Sequence, residues 1–185
     1  MFRRLVLAVI LLTPVAEARE RAVLIYPRER VWFRRLFYTS HQRELRARIA
    51  EKYDTTIHEQ VANEDALFET DVEGATLLVL SAHGDPFSMY FADRKDRTLD
   101  STDRARLEQF FGRLDPFATI VLQSCHTGRG FAHLVKEVAG PHRRVIAARG
   151  VIPRDGLRVT SVAPFDVTID CDDGERRWDC TVRLR

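Results

Sequence analysis

The chain has very little net charge, because 29 Lys and Arg residues are set against 27 Asp and Glu residues, a formal balance of +2 at pH 7. So small an excess argues against nucleic acid or another polyanion as a partner. Lysine is scarce, and arginine supplies nearly all of the positive charge. The sequence also has no internal repeat, low-complexity tract or linker-like segment. Its 185 residues therefore predict one globular domain of ordinary composition.

A long apolar segment is also missing at the N-terminus. The run from Leu5 to Leu12 is too short to span a bilayer as a permanent helix. It follows Arg3 and Arg4 and precedes Ala16-Glu17-Ala18, the arrangement of a secretory signal peptide with its small-residue cleavage site. We expect residues 1–18 to be removed, with residues 19–185 exported to a periplasm or secreted without a stable membrane anchor. A buried or amphipathic N-terminal helix is the alternative.

Cysteine is rare, and the three cysteines are expected to differ in their bonding state. In an exported chain, Cys171 and Cys180 are natural disulfide partners, and a bridge over so short a loop contributes about 2–3 kcal/mol. A two-residue turn at Asp173-Gly174 would instead place Cys171 opposite Arg176, so either the loop is wider or the bridge does not form. In both cases Cys125 is left unpaired. A free thiol on an exported protein is open to oxidation, so its presence calls for a function.

Two apolar segments end in residues that carry chemistry. The run from Ala118 to Leu122 is typical of a buried strand and leads into Gln123-Ser124-Cys125, with a helical pattern beginning at Phe131. Upstream, the run from Thr76 to Ala82 ends in His83-Gly84. Ligands bind at the carboxyl ends of strands in open α/β sheets, and a following helix N-terminus favours a thiolate. The two strand ends therefore predict a Cys/His catalytic pair.

The order of the remaining segments predicts a mostly parallel sheet covered on both faces. Apolar runs predict strands over residues 22–26, 55–61, 77–82, 118–122 and 144–148, and helical periodicity covers 28–53, 100–114 and 131–139. A short helix or loop is expected in 63–74 and a small hairpin beside the site in 85–99. Residues 157–169 and 177–184 are predicted as antiparallel strands.

A strand ending in His-Gly, followed by a later strand ending in Gln-Ser-Cys with a glycine close behind, resembles the clan CD cysteine peptidases. That group includes caspases, legumains, gingipains, separases and bacterial CHAT domains. Cys125 follows His83 by 42 residues, against about 50 in the caspase form Gln-Ala-Cys-x-Gly. Ser124 replaces the caspase alanine, and Gly128 stands one position later than the caspase glycine, which is closer to the legumain and CHAT style. The resemblance covers residues 22–154.

The resemblance implies a fold and an activity. The fold is a caspase-like three-layer αβα sandwich with a mostly parallel central sheet, to which the strand pattern adds a C-terminal antiparallel hairpin. The activity is that of an endopeptidase acting on a peptide or protein substrate. Cys125 would be the nucleophile, His83 the general acid and base, and the backbone N–H groups of Gly84 and Cys125 the oxyanion donors. No cofactor is implied.

In this family the loop after the strand that follows the Cys helix largely sets specificity. Here the loop contains Arg149 and Arg154, which would receive an acidic P1 side chain, and Asp155, which would receive a basic one. A simple surface ion pair is the alternative for each of the three.

Other interpretations of the same residues remain open. His126 is an alternative acid or base beside Cys125. A zinc site built from His83, Asp85, Cys125 and His126 is conceivable, but the sequence lacks a compact ligand pair such as His-x-x-x-His, so we expect no metal. The alternatives to a peptidase are a caspase-like domain that binds without cutting and a periplasmic thiol sensor in which Cys125 is oxidised.

Overall fold

The computed structural model describes residues 19–28, 43–91, 98–153 and 155–185. Its strands are β1 (Glu20–Pro27), β2 (Tyr53–Val61), β3 (Leu77–Ser81), β4 (His83–Gly84), β5 (Met89–Tyr90), β6 (Thr119–Gln123), β7 (Arg144–Ala148), β8 (Leu157–Val162), β9 (Phe165–Asp172), β10 (Arg177–Asp179) and β11 (Thr181–Leu184). Its helices are α1 (residues 43–50), α2 (Glu64–Phe68), α3 (Arg104–Gly112) and α4 (Phe131–Ala139). The signal peptide predicted over residues 1–18 and the first part of the helix predicted from residue 28 lie outside the described residues.

A six-stranded sheet forms the centre of the molecule, in the order β11-β7-β6-β3-β1-β2. Neighbouring strands run parallel except β11, which pairs antiparallel with β7. The mixed α/β class and the mostly parallel sheet are therefore confirmed. The central strands form where the sequence has continuous apolar runs, because a parallel strand covered on both faces buries every side chain. β3 illustrates this, with all five residues buried.

Alternate residues of the sheet enter two separate cores. Val23 and Ile25 of β1 belong to a core packed under α2, α3 and α4. Ala22 and Leu24 belong to the other core, which packs against α1 and against the three-stranded antiparallel sheet β8-β9-β10, here called the C-terminal arm. Among the described residues, then, the second face is covered by one helix together with strands rather than by helices alone.

Local signals explain the helix boundaries near the site. Before α3, the Asp100 carboxylate accepts from the Thr102 N–H while the Asp103 carboxylate accepts from the Asp100 N–H, a capping box at the predicted start. α4 ends at Gly140, whose φ of +87° lies in the region that favours glycine. In the described part of the chain, none of the helices combines the length and the apolar character needed to cross a membrane.

The C-terminal third is antiparallel as predicted but divided differently. Residues 157–169 are not one strand, because the chain turns at Ala163-Pro164 between β8 and β9. The segment 177–184 also splits, with β10 pairing to β9 and β11 joining the central sheet. Tyr53, expected at the end of a helix, begins β2 instead.

The disulfide between Cys171 and Cys180 is present, with the two Cα atoms 5.7 Å apart. The turn is wider than two residues, because Arg177 pairs with Asp172 and residues 173–176 form the loop. Cys171 therefore lies opposite Trp178, and Cys180, two residues after Trp178, is its diagonal neighbour. The conflict seen in the sequence is resolved in favour of the wider loop.

Candidate active site

The paired register of β3 and β6 brings His83 and Cys125 to the same edge of the sheet. Ser81 pairs with Gln123 as the last residue of each strand, so His83 and Cys125 both lie two residues beyond that pair. The Ala82 N–H still donates to the Gln123 carbonyl at 3.4 Å, which keeps the two chains together past the strand ends. Two residues that are distant in sequence thus emerge side by side at the carboxyl edge, where α/β sheets bind ligands.

Direct packing of Gly84 against the cysteine segment brings the two strand ends closer still. A Cβ atom built on Gly84 would overlap the Ser124 hydroxyl and lie 2.9 Å from the Cys125 carbonyl oxygen. It would also lie 3.0 Å from a methyl group of Thr127. Only a glycine allows this approach, so residue 84 is a contact point between the histidine and cysteine segments.

A small hairpin lies beside the site, but its strands β4 and β5 begin at His83, before the predicted range 85–99, and it carries a tyrosine that sequence reasoning missed. Tyr90 pairs with His83, and the two rings stack with centroids 5.3 Å apart and an interplanar angle of 21°. Burial raises the pKa of Tyr90, and the nearby Asp85 carboxylate and Cys125 sulfur raise it further. The phenol is therefore neutral at physiological pH and lies near both members of the pair.

The hairpin geometry also orients a backbone donor. Met89 exchanges both of its backbone hydrogen bonds with Leu99, so the N–H of Gly84, its partner in β4, points away from β5. Within the described residues, the Cys125 N–H has no hydrogen-bond acceptor. The two N–H groups predicted as oxyanion donors, on Gly84 and Cys125, are thus not used in the pairing of β4 with β5 or in the backbone hydrogen bonds around the site.

The surroundings of the sulfur differ from the sequence expectation. A 3₁₀ turn, Thr127–Arg129, separates the half-buried Cys125 from α4, and the first N–H of that helix, on Phe131, donates to the Pro86 carbonyl at 2.7 Å. The sulfur instead accepts a hydrogen bond from the Ile152 N–H, with N and Sγ 3.4 Å apart. A loop amide, rather than the helix N-terminus, is the donor to the thiol.

No known family model and no curated protein matches this chain.

The three residues proposed for substrate specificity have different surroundings. Arg149 is exposed, and its carbonyl accepts from the Arg129 Nε at 2.8 Å. Arg154 lies outside the described residues. Asp155 accepts two hydrogen bonds from the Arg177 guanidinium, at 2.7 and 2.8 Å, and these bonds raise the pKa of Arg177. Asp155 is thus in a surface ion pair, which was the alternative to a substrate-binding role for this residue.

His126 lies next to Cys125 but takes a different direction. Its φ of +62° is left-handed, its N–H donates to the Gly150 carbonyl at 2.9 Å, and its Nδ1 lies 3.4 Å from the Arg149 carbonyl oxygen. In the described ranges, no three His, Cys, Asp or Glu side chains are close enough together to hold a metal ion.

Sequence reasoning missed Tyr90 and Ile152. The alternation of polar and apolar residues is too short around Tyr90 to predict a two-residue strand. Ile152 contributes a backbone atom, which no side-chain motif can signal.

Proposed function

We propose that this chain is an exported cysteine endopeptidase of caspase-like fold, with Cys125 as nucleophile and His83 as general acid and base. The observation that carries the proposal is the paired register of β3 and β6, which aligns the histidine and the cysteine at adjoining strand ends. That edge is where open α/β sheets bind ligands, and a histidine beside a cysteine there has the chemistry of a nucleophile and its acid/base partner.

In the proposed reaction, the Cys125 thiolate attacks the carbonyl carbon of the scissile peptide bond. The carbonyl oxygen becomes an oxyanion, which the N–H groups of Gly84 and Cys125 stabilise. His83 gives a proton to the leaving amine as the C–N bond breaks, which leaves an acyl-enzyme. His83 then takes a proton from water, the hydroxyl adds to the thioester, and the released thiolate restores the starting site.

The environment of the catalytic pair supports this sequence of steps. Stacking on Tyr90 restricts the orientation of the His83 ring, and a neutral phenol adds no competing charge. The Ile152 N–H lies against the sulfur that is to ionise. Positioning of this kind accounts for a large part of enzymatic rate enhancement.

The loop after β7 also bears on the substrate. Because the Asp155 carboxylate is already paired with Arg177, its capture of a basic P1 side chain would require that pair to break. Arg149 is exposed at the same loop and is the better candidate for a substrate contact. We therefore expect an acidic P1 residue to be preferred.

A positional-scanning peptide library against residues 19–185 tests the proposal. The parent should cleave a subset of peptides, and Cys125→Ala and His83→Ala should each lower kcat/KM by at least about 1000-fold. His133→Ala, which changes an exposed histidine on α4, should behave like the parent and serves as the matched control.

Three outcomes would contradict the proposal. Cleavage by Cys125→Ala at the parental rate would show that another group is the nucleophile. Peptide binding without cleavage by the parent would favour the binding domain, and an oxygen adduct on Cys125 after mild peroxide, without any cleavage, would favour the thiol sensor.

A further inference from the structure

The Cys125 sulfur has a specific hydrogen-bond donor that is separated from it by 27 residues. The Ile152 N–H donates to Sγ over 3.4 Å. Sulfur is a weak acceptor as a thiol and a much stronger one as a thiolate, because a charged acceptor roughly doubles the strength of such a bond. The contact therefore favours the ionised form, which is the form that reacts.

The loop that carries this N–H is held in place on both sides. Towards the site, the Gly150 carbonyl accepts from the His126 N–H at 2.9 Å. Towards the C-terminal arm, the Val151 carbonyl accepts from the Asp172 N–H at 3.0 Å. The two bonds fix the path of the backbone immediately before Ile152.

The disulfide forms the support behind the loop. A Cβ atom built on Gly150 would lie 2.8 Å from Cys171 Sγ and 3.2 Å from the Trp178 ring, so the loop backbone rests directly on the bridged strands. Cys171 is fully buried at this contact. The bridge thus stabilises the surface against which residues 150–152 pack.

We propose that the backbone N–H of Ile152 is a further catalytic group that holds the Cys125 sulfur as a thiolate, and that the disulfide-bonded C-terminal arm keeps this N–H in position. Its catalytic purpose rests on the proposed peptidase function. The effect on the thiol does not, because ionisation is measurable without any substrate. The Cys125 proton passes to the His83 imidazole or to solvent, and the sulfur keeps the electron pair of the broken S–H bond.

Ile152→Pro removes the N–H at a position that belongs to neither a helix nor a strand, so no hydrogen-bond ladder is interrupted. Ile152→Ala is the matched control, since it loses the side chain and keeps the N–H. The measurement is the rate of Cys125 alkylation by iodoacetamide between pH 5 and pH 10. Dividing the rate at pH 6 by the rate at pH 10 cancels differences in access to the sulfur.

We expect that ratio to fall about tenfold in Ile152→Pro and to stay unchanged in Ile152→Ala. A parental ratio in the proline variant, or an equal fall in both variants, would overturn the role of the N–H. In Cys171→Ala/Cys180→Ala we expect a fall of about threefold, and a parental ratio there would overturn the role of the arm.

If Ile152→Pro does not fold, a second measurement tests the hydrogen bond between the Ile152 N–H and the Cys125 sulfur. In the parent, the NMR shift of the Ile152 amide proton should follow the same pH profile as alkylation of Cys125, and in Cys125→Ala it should stay constant over that range. An amide signal that titrates equally in both proteins would refute the contact. Since neither readout involves a peptide, an absent peptidase activity and an absent amide contact give different results.

Discussion

At the scale of single residues, the glycine at 84 is required by space. Its φ lies outside the left-handed region, yet any Cβ there would meet Ser124 and Cys125. We expect Gly84→Ala to lower kcat/KM by about 100-fold, because the histidine and cysteine segments must separate, and to lower the free energy of unfolding by about 1–3 kcal/mol. Peptide cleavage and denaturant unfolding measure the two effects.

Gly112→Ala is the control for the change at residue 84. Gly112 lies in α3, has no atom within 4 Å of a built Cβ and has no positive φ. The same substitution should therefore stabilise the protein by about 0.5–1 kcal/mol and leave cleavage unchanged. Equal loss of activity in both variants would mean that residue 84 is not a special contact.

Tyr90 gives a second prediction at this scale. Burial raises the pKa of Tyr90 above the ordinary value of a phenol, so the hydroxyl stays protonated at physiological pH. Tyr90→Phe should therefore keep kcat within about twofold and the same pH profile from pH 5 to pH 9. Tyr90→Ala removes the stacked ring and should lower kcat by about tenfold. A changed pH profile in Tyr90→Phe would show that the hydroxyl takes part.

The residues of the site were predictable from sequence to different degrees. His83 and Cys125 could be named because His83 directly follows one apolar run and Cys125 comes three residues after another, and the end of such a run is a local signal. Tyr90 and Ile152 could not be, because their contacts depend on a two-residue hairpin and on the path of a loop. Those features arise from packing between segments that are distant in sequence.

At the scale of elements, the ends of α3 and α4 are held together by one side chain. The Arg143 guanidinium donates to the carbonyls of Leu114, Asp115 and Ala139 at 2.6, 2.9 and 2.7 Å. These acceptors lie just beyond α3 and at the end of α4, where helices leave carbonyls without partners. Burial lowers the pKa of Arg143, as expected for a cation enclosed by backbone.

We expect Arg143→Met to lower the free energy of unfolding by about 2–4 kcal/mol, because it leaves partly buried carbonyls unsatisfied. Arg104→Met is the control. It removes an arginine whose bond to Glu137 lies at the exposed surface, and it should cause no measurable change. Urea unfolding of both variants is the measurement. Similar losses in the two would indicate a general effect of arginine removal.

Elements were easier to predict than the way they cover the sheet. Buried parallel strands such as β3 and β6 appear as continuous apolar runs, so their positions could be read from the sequence. The C-terminal arm could be recognised as antiparallel, but its place over one face of the sheet could not. The alternation of residues in β9 shows that one side of the strand is buried, but it does not show what covers that side. The covering element is set by packing between segments that are distant in sequence.

At the scale of the whole molecule, the central sheet brings residues from three parts of the chain to one edge. His83 lies two residues past the end of β3, Cys125 lies two residues past the end of β6, and the loop after β7 supplies the Ile152 N–H. The C-terminal arm supports that loop through its disulfide. Under the proposal made for the Ile152 N–H, the oxidation state of the arm and the reactivity of Cys125 are connected through packed backbone.

The compartment in which the chain is made should therefore decide whether the disulfide forms, and this can be tested. A chain exported by residues 1–18 meets oxidising conditions, whereas residues 19–185 made in a reducing cytoplasm do not. After denaturation and alkylation, the exported protein should carry one adduct, on Cys125, because the other two cysteines are bridged. The cytoplasmic protein should carry three, one for each cysteine. Intact mass measures the number of adducts and also locates the new N-terminus near Arg19.

The two preparations should also differ in stability and in reactivity. Without the bridge the free energy of unfolding should fall by about 2–3 kcal/mol, the amount expected for a loop of this length. Iodoacetamide should alkylate Cys125 of the folded cytoplasmic protein more slowly at pH 6, since the arm then supports the loop less firmly. Mild oxidation of that preparation should restore both properties as the bridge forms. Three adducts on the exported chain would contradict the link between export and the site, because the arm would then lack its disulfide. An uncleaved leader would contradict the predicted cleavage near Arg19.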